Sequence, residues 1–118
     1  MSDKNTGTGR ISPLDASEFA EISISAENGV VTSVSFNCTD DEYLADCCGA
    51  LQRLLPGFPL ADIMQMNGAA VIYNTEKELP REKLYLASMA VSAAKRAAED
   101  YAGKNGITLE GGVCRCGG

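Results

Sequence analysis

The segment that most constrains the fold runs from Leu79 to Tyr101 and reads LPREKLYLASMAVSAAKRAAEDY. Apolar residues recur in it at steps of three and four, the spacing that places side chains on one face of an α-helix. The residues predicted on that face are Leu84, Ala87, Val91, Ala94, Ala98 and Tyr101. Pro80 stands where a helix can begin, because its missing N–H would be unpaired there anyway. The pattern predicts one long amphipathic helix that ends near Gly103 or Gly106.

Two alternating segments upstream predict an antiparallel β-hairpin over residues 19–26 and 30–38. Every second residue is apolar or otherwise suited to a buried face, which is the period of a strand with one face covered. These residues are Ala20, Ile22, Ile24 and Ala26 in the first strand and Val30, Thr32, Val34, Phe36 and Cys38 in the second. Between them, Asn28-Gly29 supplies the residues favoured in a tight type I′ turn.

A helix is predicted directly after the hairpin. Thr39 and Glu42 have the spacing of a capping box, and acidic residues favour the positive end of the helix dipole. The apolar stripe that follows ends at Pro56-Gly57, which stops a helix. This stripe contains Leu44, Cys47, Cys48, Leu51, Leu54 and Leu55. Residues 60–66 predict a short helix, and residues 68–73 fit either a strand or a helix.

The chain of 118 residues is long enough for one hydrophobic core. We expect a flexible polar arm over residues 1–17, one folded domain over residues 18–106 and a Gly- and Cys-rich tail over residues 107–118. The predicted fold class is α+β, with a small antiparallel β-sheet led by the hairpin and packed against two main helices. Met64 and Met66 are expected in the core beneath the short helix.

The charge balance excludes several classes of partner. Ten basic and sixteen acidic residues give a net charge of −6, which argues against binding to nucleic acid or an anionic membrane. No apolar run approaches the ~20 residues of a membrane span. The N-terminal residues lack the hydrophobic segment of a secretory signal. A cytoplasmic protein is therefore expected.

Five cysteines are present, and histidine is absent. An odd number of cysteines in adjacent and one-apart pairs is a poor disulfide framework and suits a reducing compartment. Without histidine, any metal site in this chain would depend on thiolates and carboxylates.

Together, these segments resemble the iron–sulfur cluster scaffold family, that is, the NifU N-terminal domain or the IscU type. The resemblance covers residues from about Phe19 to Tyr101, in the order hairpin, loop, helix, short helix and long helix. Its markers are Asn28-Gly29, Phe36, Pro56-Gly57 followed by Leu60, the Leu-Pro-x-x-Lys motif that opens the long helix, and Asp100-Tyr101. The resemblance implies the α+β scaffold fold and a role in iron–sulfur cluster assembly.

The metal ligands of that family are replaced in this chain. Asp15 and Ser17 stand where the family has its first cysteine and the neighbouring aspartate, and Asp41 stands at the second cysteine. Tyr85 and Leu86 replace the family's histidine and third cysteine. Leucine cannot bind a metal, so the resemblance carries over the fold and not the cluster site.

A relocated metal site is one hypothesis for this loop. Cys38, Asp41, Cys47 and Cys48 could together supply thiolate and carboxylate ligands if the loop folds back on the helix. The alternative is packing, because free cysteine is among the most buried residue types. Adjacent helical residues also point about 100° apart, which hinders Cys47 and Cys48 from sharing one metal. Packing is therefore the favoured interpretation.

Cys114 and Cys116 form a Cys-x-Cys motif in the tail. Thiols in such a glycine-rich segment are expected to be exposed, with Arg115 able to lower a thiol pKa. The motif also resembles the opening of the small [2Fe–2S] domain that follows the scaffold domain in longer family members. Two thiols alone are an incomplete site, so metal ligation and a reactive dithiol both remain open.

The resemblance implies a non-enzymatic scaffold or carrier that binds iron or a nascent Fe–S cluster through cysteine thiolates, with zinc as an alternative metal. Its partners would be a cysteine desulfurase and Fe–S client proteins, and Leu79, Pro80 and Lys83 resemble the segment that scaffolds present to a chaperone. Two alternatives remain. One is a cluster-free interaction module of the same fold, and the other is a thiol-based metal or redox sensor that uses the C-terminal Cys-x-Cys.

Overall fold

The computed structural model describes residues 6–12 and 18–106 and shows an α+β fold. Three antiparallel strands form one sheet in the order β1-β2-β3, with β1 at Thr6–Ile11, β2 at Ala20–Glu27 and β3 at Val30–Cys38. The helices are α1 at Glu42–Leu54, α2 at Leu60–Ile63, α3 at Gly68–Ile72 and α4 at Tyr85–Asn105, with a 3₁₀ turn at Arg81–Lys83. This confirms the predicted fold class. None of the helices in these two stretches has the length and hydropathy needed to span a membrane.

The hairpin formed by β2 and β3 has the predicted Asn28-Gly29 turn, but the predicted alternation in β3 is wrong at its start, where Val30 and Thr32 are exposed and Val31 is buried. Asn28 and Gly29 adopt the positive φ angles of 56° and 79° that a type I′ turn requires. On β2 the buried residues alternate with half-buried polar ones, and the buried set is Ala20, Ile22, Ile24 and Ala26. Pairing shifts by one residue between Ser25 and Ala26, where Ala26 meets Val31. One face of the sheet is therefore available for α1 and α4 to cover.

The prediction of a flexible arm over residues 1–17 is wrong for Thr6–Ile11, which forms the strand β1. The folded domain therefore includes residues before the predicted start at residue 18. Thr6–Ile11 pairs with β2 along its whole length, from Thr6 opposite Ser25 to Ile11 opposite Ala20. Its inward positions are Gly7 and Gly9, which are buried beneath α4. The apolar alternation that marks a strand is absent because the helix backbone lies too close for any side chain. Residues 1–5 and 13–17 lie outside the described residues.

The first helix begins two residues later than the predicted capping box. Its N-cap is Asp41, whose side chain accepts hydrogen bonds from the backbone N–H groups of Tyr43 and Leu44. The Thr39 hydroxyl is instead bonded to the backbone of Phe19, which ties the end of β3 to the start of β2. The predicted stripe on α1 is largely buried, and the helix ends before Pro56 as expected.

α4 follows the 3₁₀ turn that Pro80 caps, so the α-helix itself begins at Tyr85. Because the tighter turn changes the angular phase, Leu84 is 39% exposed and does not join the predicted buried face. The other five predicted residues are buried, among them Ala87, Val91 and Tyr101. The helix ends at Gly106, which has the left-handed φ of 66°.

The region between α1 and α4 carries the chain back over the start of α1. Residues 68–72, for which the sequence left strand or helix open, form α3, and the Asn67 side chain caps it by accepting from the Ala69 N–H. Asp46 on α1 accepts hydrogen bonds from the backbone N–H groups of Glu76 and Lys77 at 2.9 and 2.7 Å. This anchor directs the following segment, including Lys83, toward the N-terminus of α1.

Candidate functional site

Asp41 and Lys83 form the centre of a polar cluster at the start of α1. One carboxylate oxygen of Asp41, Oδ1, accepts from the N–H groups of Tyr43 and Leu44 at 2.9 and 3.2 Å. The other, Oδ2, lies 3.4 Å from Lys83 Nζ. Burial acts to raise the pKa of Asp41, but the two backbone hydrogen bonds and Lys83 outweigh it and lower that pKa. The hydrogen bond to Asp41 and its charge raise the pKa of Lys83, so both groups are ionised at neutral pH.

Tyr85 and Glu18 complete the cluster. The Tyr85 hydroxyl lies 2.9 Å from each carboxylate oxygen of Glu18 and donates to that carboxylate. The hydrogen bond to Glu18, with a smaller contribution from burial, raises the pKa of Tyr85. We refer to Glu18, Asp41, Lys83 and Tyr85 as the polar cluster. Glu18 was missed in the sequence, since nothing local marks a glutamate that bonds a residue 67 positions away.

The polar cluster occupies two positions where the resembling family places metal ligands. Asp41 is committed to capping and to Lys83, and Tyr85 is committed to Glu18. Leu86, at a third such position, is fully buried in the core. Asp15 and Ser17 lie outside the described residues. The side chains at the described positions are thus engaged with groups of the protein itself.

The three described cysteines are free thiols that lie close to this cluster. Cys47 and Cys48 are 0% exposed, whereas Cys38 is half-buried. The Cys38 and Cys48 thiols lie close enough to each other for each to affect the pKa of the other. The structure therefore joins the end of β3 to the middle of α1 through a pair of thiols.

Burial keeps these thiols protonated. It raises the pKa of Cys47 to about 12, with further contributions from the charges of Asp46 and Asp41. Burial likewise raises the pKa of Cys48, and the neighbouring thiols add to this effect. Burial also raises the pKa of Cys38, although the neighbouring Cys48 thiol acts in the opposite direction. Because the thiolate is the form that binds metals, these environments oppose ligation.

The relocated site predicted from Cys38, Asp41, Cys47 and Cys48 is not assembled in this arrangement. Within residues 6–12 and 18–106, no group of three or more His, Cys, Asp or Glu side chains is placed to hold a metal ion. Two of the four residues, Cys38 and Cys48, are in contact, while Cys47 is packed in the core and Asp41 caps the helix. The geometry thus agrees with packing, the favoured alternative. Cys114 and Cys116 lie outside the described residues, and their role stays a prediction.

The predicted partner-binding residues differ in exposure. Leu79 is buried, Pro80 is half-buried, and Lys83 is half-buried in its ion pair with Asp41. The exposed residues of this segment are the charged Arg81 and Glu82 and the large apolar residues Leu84 and Tyr85. Exposed apolar side chains beside an ion pair are compatible with a protein contact.

A separate surface groove of about 340 Å³ lies along α2 and α3. Its apolar side chains come from Leu54, Phe58 and Met66, and Asp62 is the charged residue among its lining groups. A single carboxylate amid apolar and amide groups offers no acid–base pair for catalysis. The groove is therefore suited to contact with an apolar side chain.

No protein-family model matches this chain, and no curated protein matches it either.

Proposed function

We propose that this chain is a NifU-like component of iron–sulfur cluster assembly whose folded domain acts by docking to other proteins of that system. The proposal combines the sequence resemblance with the observed element order of hairpin, α1, short helices and long α4. By that resemblance the partners are a cysteine desulfurase and Fe–S client proteins, and the compartment is the cytoplasm. In this role the protein is not an enzyme.

The observation that carries the docking role is the polar cluster. Asp41, at a ligand position of the resembling family, is held by two backbone N–H groups and by the Lys83 ammonium. To bind iron, this carboxylate would have to give up those contacts, and losing charge-assisted hydrogen bonds is costly. The domain therefore favours the metal-free state at this place, while its surface beside Leu84 and Tyr85 stays open to a partner.

A second candidate is a carrier that takes iron or a nascent cluster as cargo through thiolates. The observation in its favour is the contact between Cys38 and Cys48, with Cys38 half-buried at the end of β3. Two thiols at one edge would be the start of a ligand set to which Cys114 and Cys116 could contribute. This candidate requires the Cys38 and Cys48 thiols to lose protons that their burial retains.

Anaerobic reconstitution with ferrous iron and sulfide, followed by desalting, separates these candidates. A docking module retains no visible absorption after desalting. A carrier retains sulfide-to-iron absorption, which Cys38→Ser and Cys48→Ser remove. Cys47→Ser is the matched control for a carrier, because Cys47 is adjacent to Cys48 in α1 and is packed in the core. A Cys114→Ser/Cys116→Ser variant tests the tail. Lower absorption than in the wild-type chain would show that the tail supplies ligands, and the loss of a metal or disulfide signal would show that it acts as a thiol sensor.

Docking is tested by measuring binding of the full chain to the cysteine desulfurase of the same organism by calorimetry. We expect Leu84→Asp to weaken binding at least tenfold, because a charge in an apolar contact is left desolvated. Ile72→Asp is the matched control, since Ile72 is similarly exposed but lies on α3. Undetectable binding of the wild-type chain, together with retained absorption, would replace the docking role with the carrier role. Absence of both signals would contradict both.

A further inference from the structure

Two side chains of α4 bind outward backbone groups on the free edge of β1. β1 is at one end of the sheet order β1-β2-β3, so alternate backbone groups on it point away from β2. The Thr8 N–H donates to Asp100 Oδ2 at 2.9 Å, and the Thr6 carbonyl accepts from Lys104 Nζ at 2.9 Å. These are the groups that a further strand would use for pairing.

Asp100 and Lys104 act as a unit in this contact. They are one helical turn apart, and Lys104 Nζ lies 3.2 Å from Asp100 Oδ2. The same carboxylate oxygen therefore receives both the Thr8 N–H and the lysine ammonium. The hydrogen bond from Thr8 is the main cause that lowers the pKa of Asp100. The Asp100 carboxylate is thus held in its charged form against the strand edge.

The opposite edge of the sheet is covered in a different way. On β3, the Val31 N–H donates to the Phe58 carbonyl at 2.9 Å, and the Val31 carbonyl accepts from the Gly57 N–H at 2.8 Å. Further along, Gln52 donates its side-chain N–H to the Val34 carbonyl. Backbone pairing of this kind cannot be removed by changing a side chain. The β3 edge is therefore held in part by backbone pairing at Val31, whereas the contacts on the β1 edge come from the side chains of Asp100 and Lys104.

We propose that Asp100 and Lys104 guard the edge of β1, and that removing them opens a strand-pairing surface whose partner is β1 of a second copy of this chain. The outward backbone groups belong to Thr6, Thr8 and Arg10, because N–H and C=O of alternate residues share one side of a strand. An antiparallel pair centred on Thr8 places Thr6 opposite Arg10 of the second copy and Thr8 opposite itself. This symmetric register gives each outward group a partner and closes after two chains.

The test is the molar mass of the full chain, measured by light scattering after size-exclusion chromatography over a wide range of concentrations. For Asp100→Ala/Lys104→Ala we expect a concentration-dependent doubling of the wild-type mass. Lys95→Ala/Glu99→Ala is the matched control, since it removes an acid and a base one turn apart on the same helix. This control is expected to keep the wild-type mass.

Thr8→Pro, added to the open-edge variant, tests whether the doubling comes from strand pairing. Proline removes the outward N–H and is tolerated on an edge strand, so the triple variant should return to the wild-type mass. A folded double variant with the wild-type mass overturns the proposal, and so does a doubled mass that Thr8→Pro leaves unchanged. Circular dichroism checks folding, and Asp100→Leu/Lys104→Met, which approximately preserves side-chain size but removes the acceptor and the donor, replaces the alanine variant if that variant unfolds.

Discussion

Lys83 Nζ lies 3.4 Å from Asp41 Oδ2, and this contact joins two segments that are 42 residues apart in the chain. The two carboxylate oxygens of Asp41 have different partners. Oδ1 caps α1 by accepting backbone hydrogen bonds, and Oδ2 forms the ion pair with Lys83. The two interactions can be separated by substitution, because one needs an acceptor atom and the other needs a charge.

Asp41→Ala removes both the cap and the ion pair. We expect it to lower the free energy of unfolding by about 1 kcal/mol, within the range of about 0.5–2 kcal/mol known for lost N-caps. Asp41→Asn keeps an acceptor for Tyr43 and Leu44 and should cost less. Urea denaturation measures both. Asp40→Ala is the control, because Asp40 is exposed and caps nothing, and an equal loss in that variant would contradict the capping role.

The stability of the fold should fall in acid because Asp41 and Asp100 have lowered pKa values in the folded state. In the unfolded chain these groups have pKa values near 3.8. At a pH between the folded and the unfolded pKa of each group, the unfolded chain therefore binds more protons than the folded chain. The stabilisation that the two carboxylates provide is therefore fully present above pH 3.8. It is lost as the pH falls through the pKa values that they have in the folded state.

The matching measurement compares melting temperatures of the wild type and Asp41→Asn/Asp100→Asn from neutral pH downward. We expect the wild type to be more stable at neutral pH and the difference to shrink as the carboxylates of the wild type become protonated. A difference that stays constant down to the acid limit would show that the two charges contribute nothing.

Thiol reactivity should follow burial. In a Cys114→Ser/Cys116→Ser background, a disulfide reagent should modify Cys38 slowly and faster at higher pH, since Cys38 is half-buried with a raised pKa. Cys47 and Cys48 are fully buried and should react only as fast as the protein opens. Cys38→Ser should remove the early phase. Equal rates for all three thiols in the native protein would contradict this order.

Gly7→Ala and Gly9→Ala should each destabilise the protein severely. A Cβ atom at either position would lie 2.2 Å from a backbone oxygen of α4, that of Ala97 for Gly7 and that of Ala93 for Gly9. Overpacking of this kind costs about 1–3 kcal/mol or more, measured by thermal or urea denaturation.

Gly103→Ala is the control for the glycine substitutions. Gly103 lies in the last turns of α4 with no atom within 4 Å of an added Cβ. It should stabilise the helix by up to about 1 kcal/mol, the usual advantage of alanine over glycine. Opposite signs for Gly9→Ala and Gly103→Ala are expected, and equal effects would show that β1 does not rest on α4.

The hairpin and both main helices could be predicted because their signals are local. Alternation and Asn28-Gly29 determine β2 and β3, and apolar spacing determines α1 and α4. β1 escaped detection since its inward residues are glycines, which carry no hydrophobic signal although they are buried. The cap of α1 was misplaced because Thr39 and Asp41 are both suitable residues, and Thr39 bonds to Phe19 instead.

The candidate site was harder to predict than the fold. Asp41 and Lys83 were singled out separately, but their contact depends on the path of the chain between α1 and α4. The contact between Cys38 and Cys48 depends on how α1 crosses the end of β3, which periodicity does not specify. The burial of Cys47 and Cys48 did follow from their place in the apolar stripe of the helix.

The close approach of β1 to α4 brings Gly7 and Gly9 of the strand against the backbone of Ala97 and Ala93 of the helix. Because the obstacle is the helix backbone, trimming either alanine cannot make room for a larger strand residue. In a selection from a library randomised at these positions, survivors should therefore retain glycine on the strand while tolerating serine or glycine on the helix. The N-terminal strand would evolve more slowly than its low hydrophobicity implies.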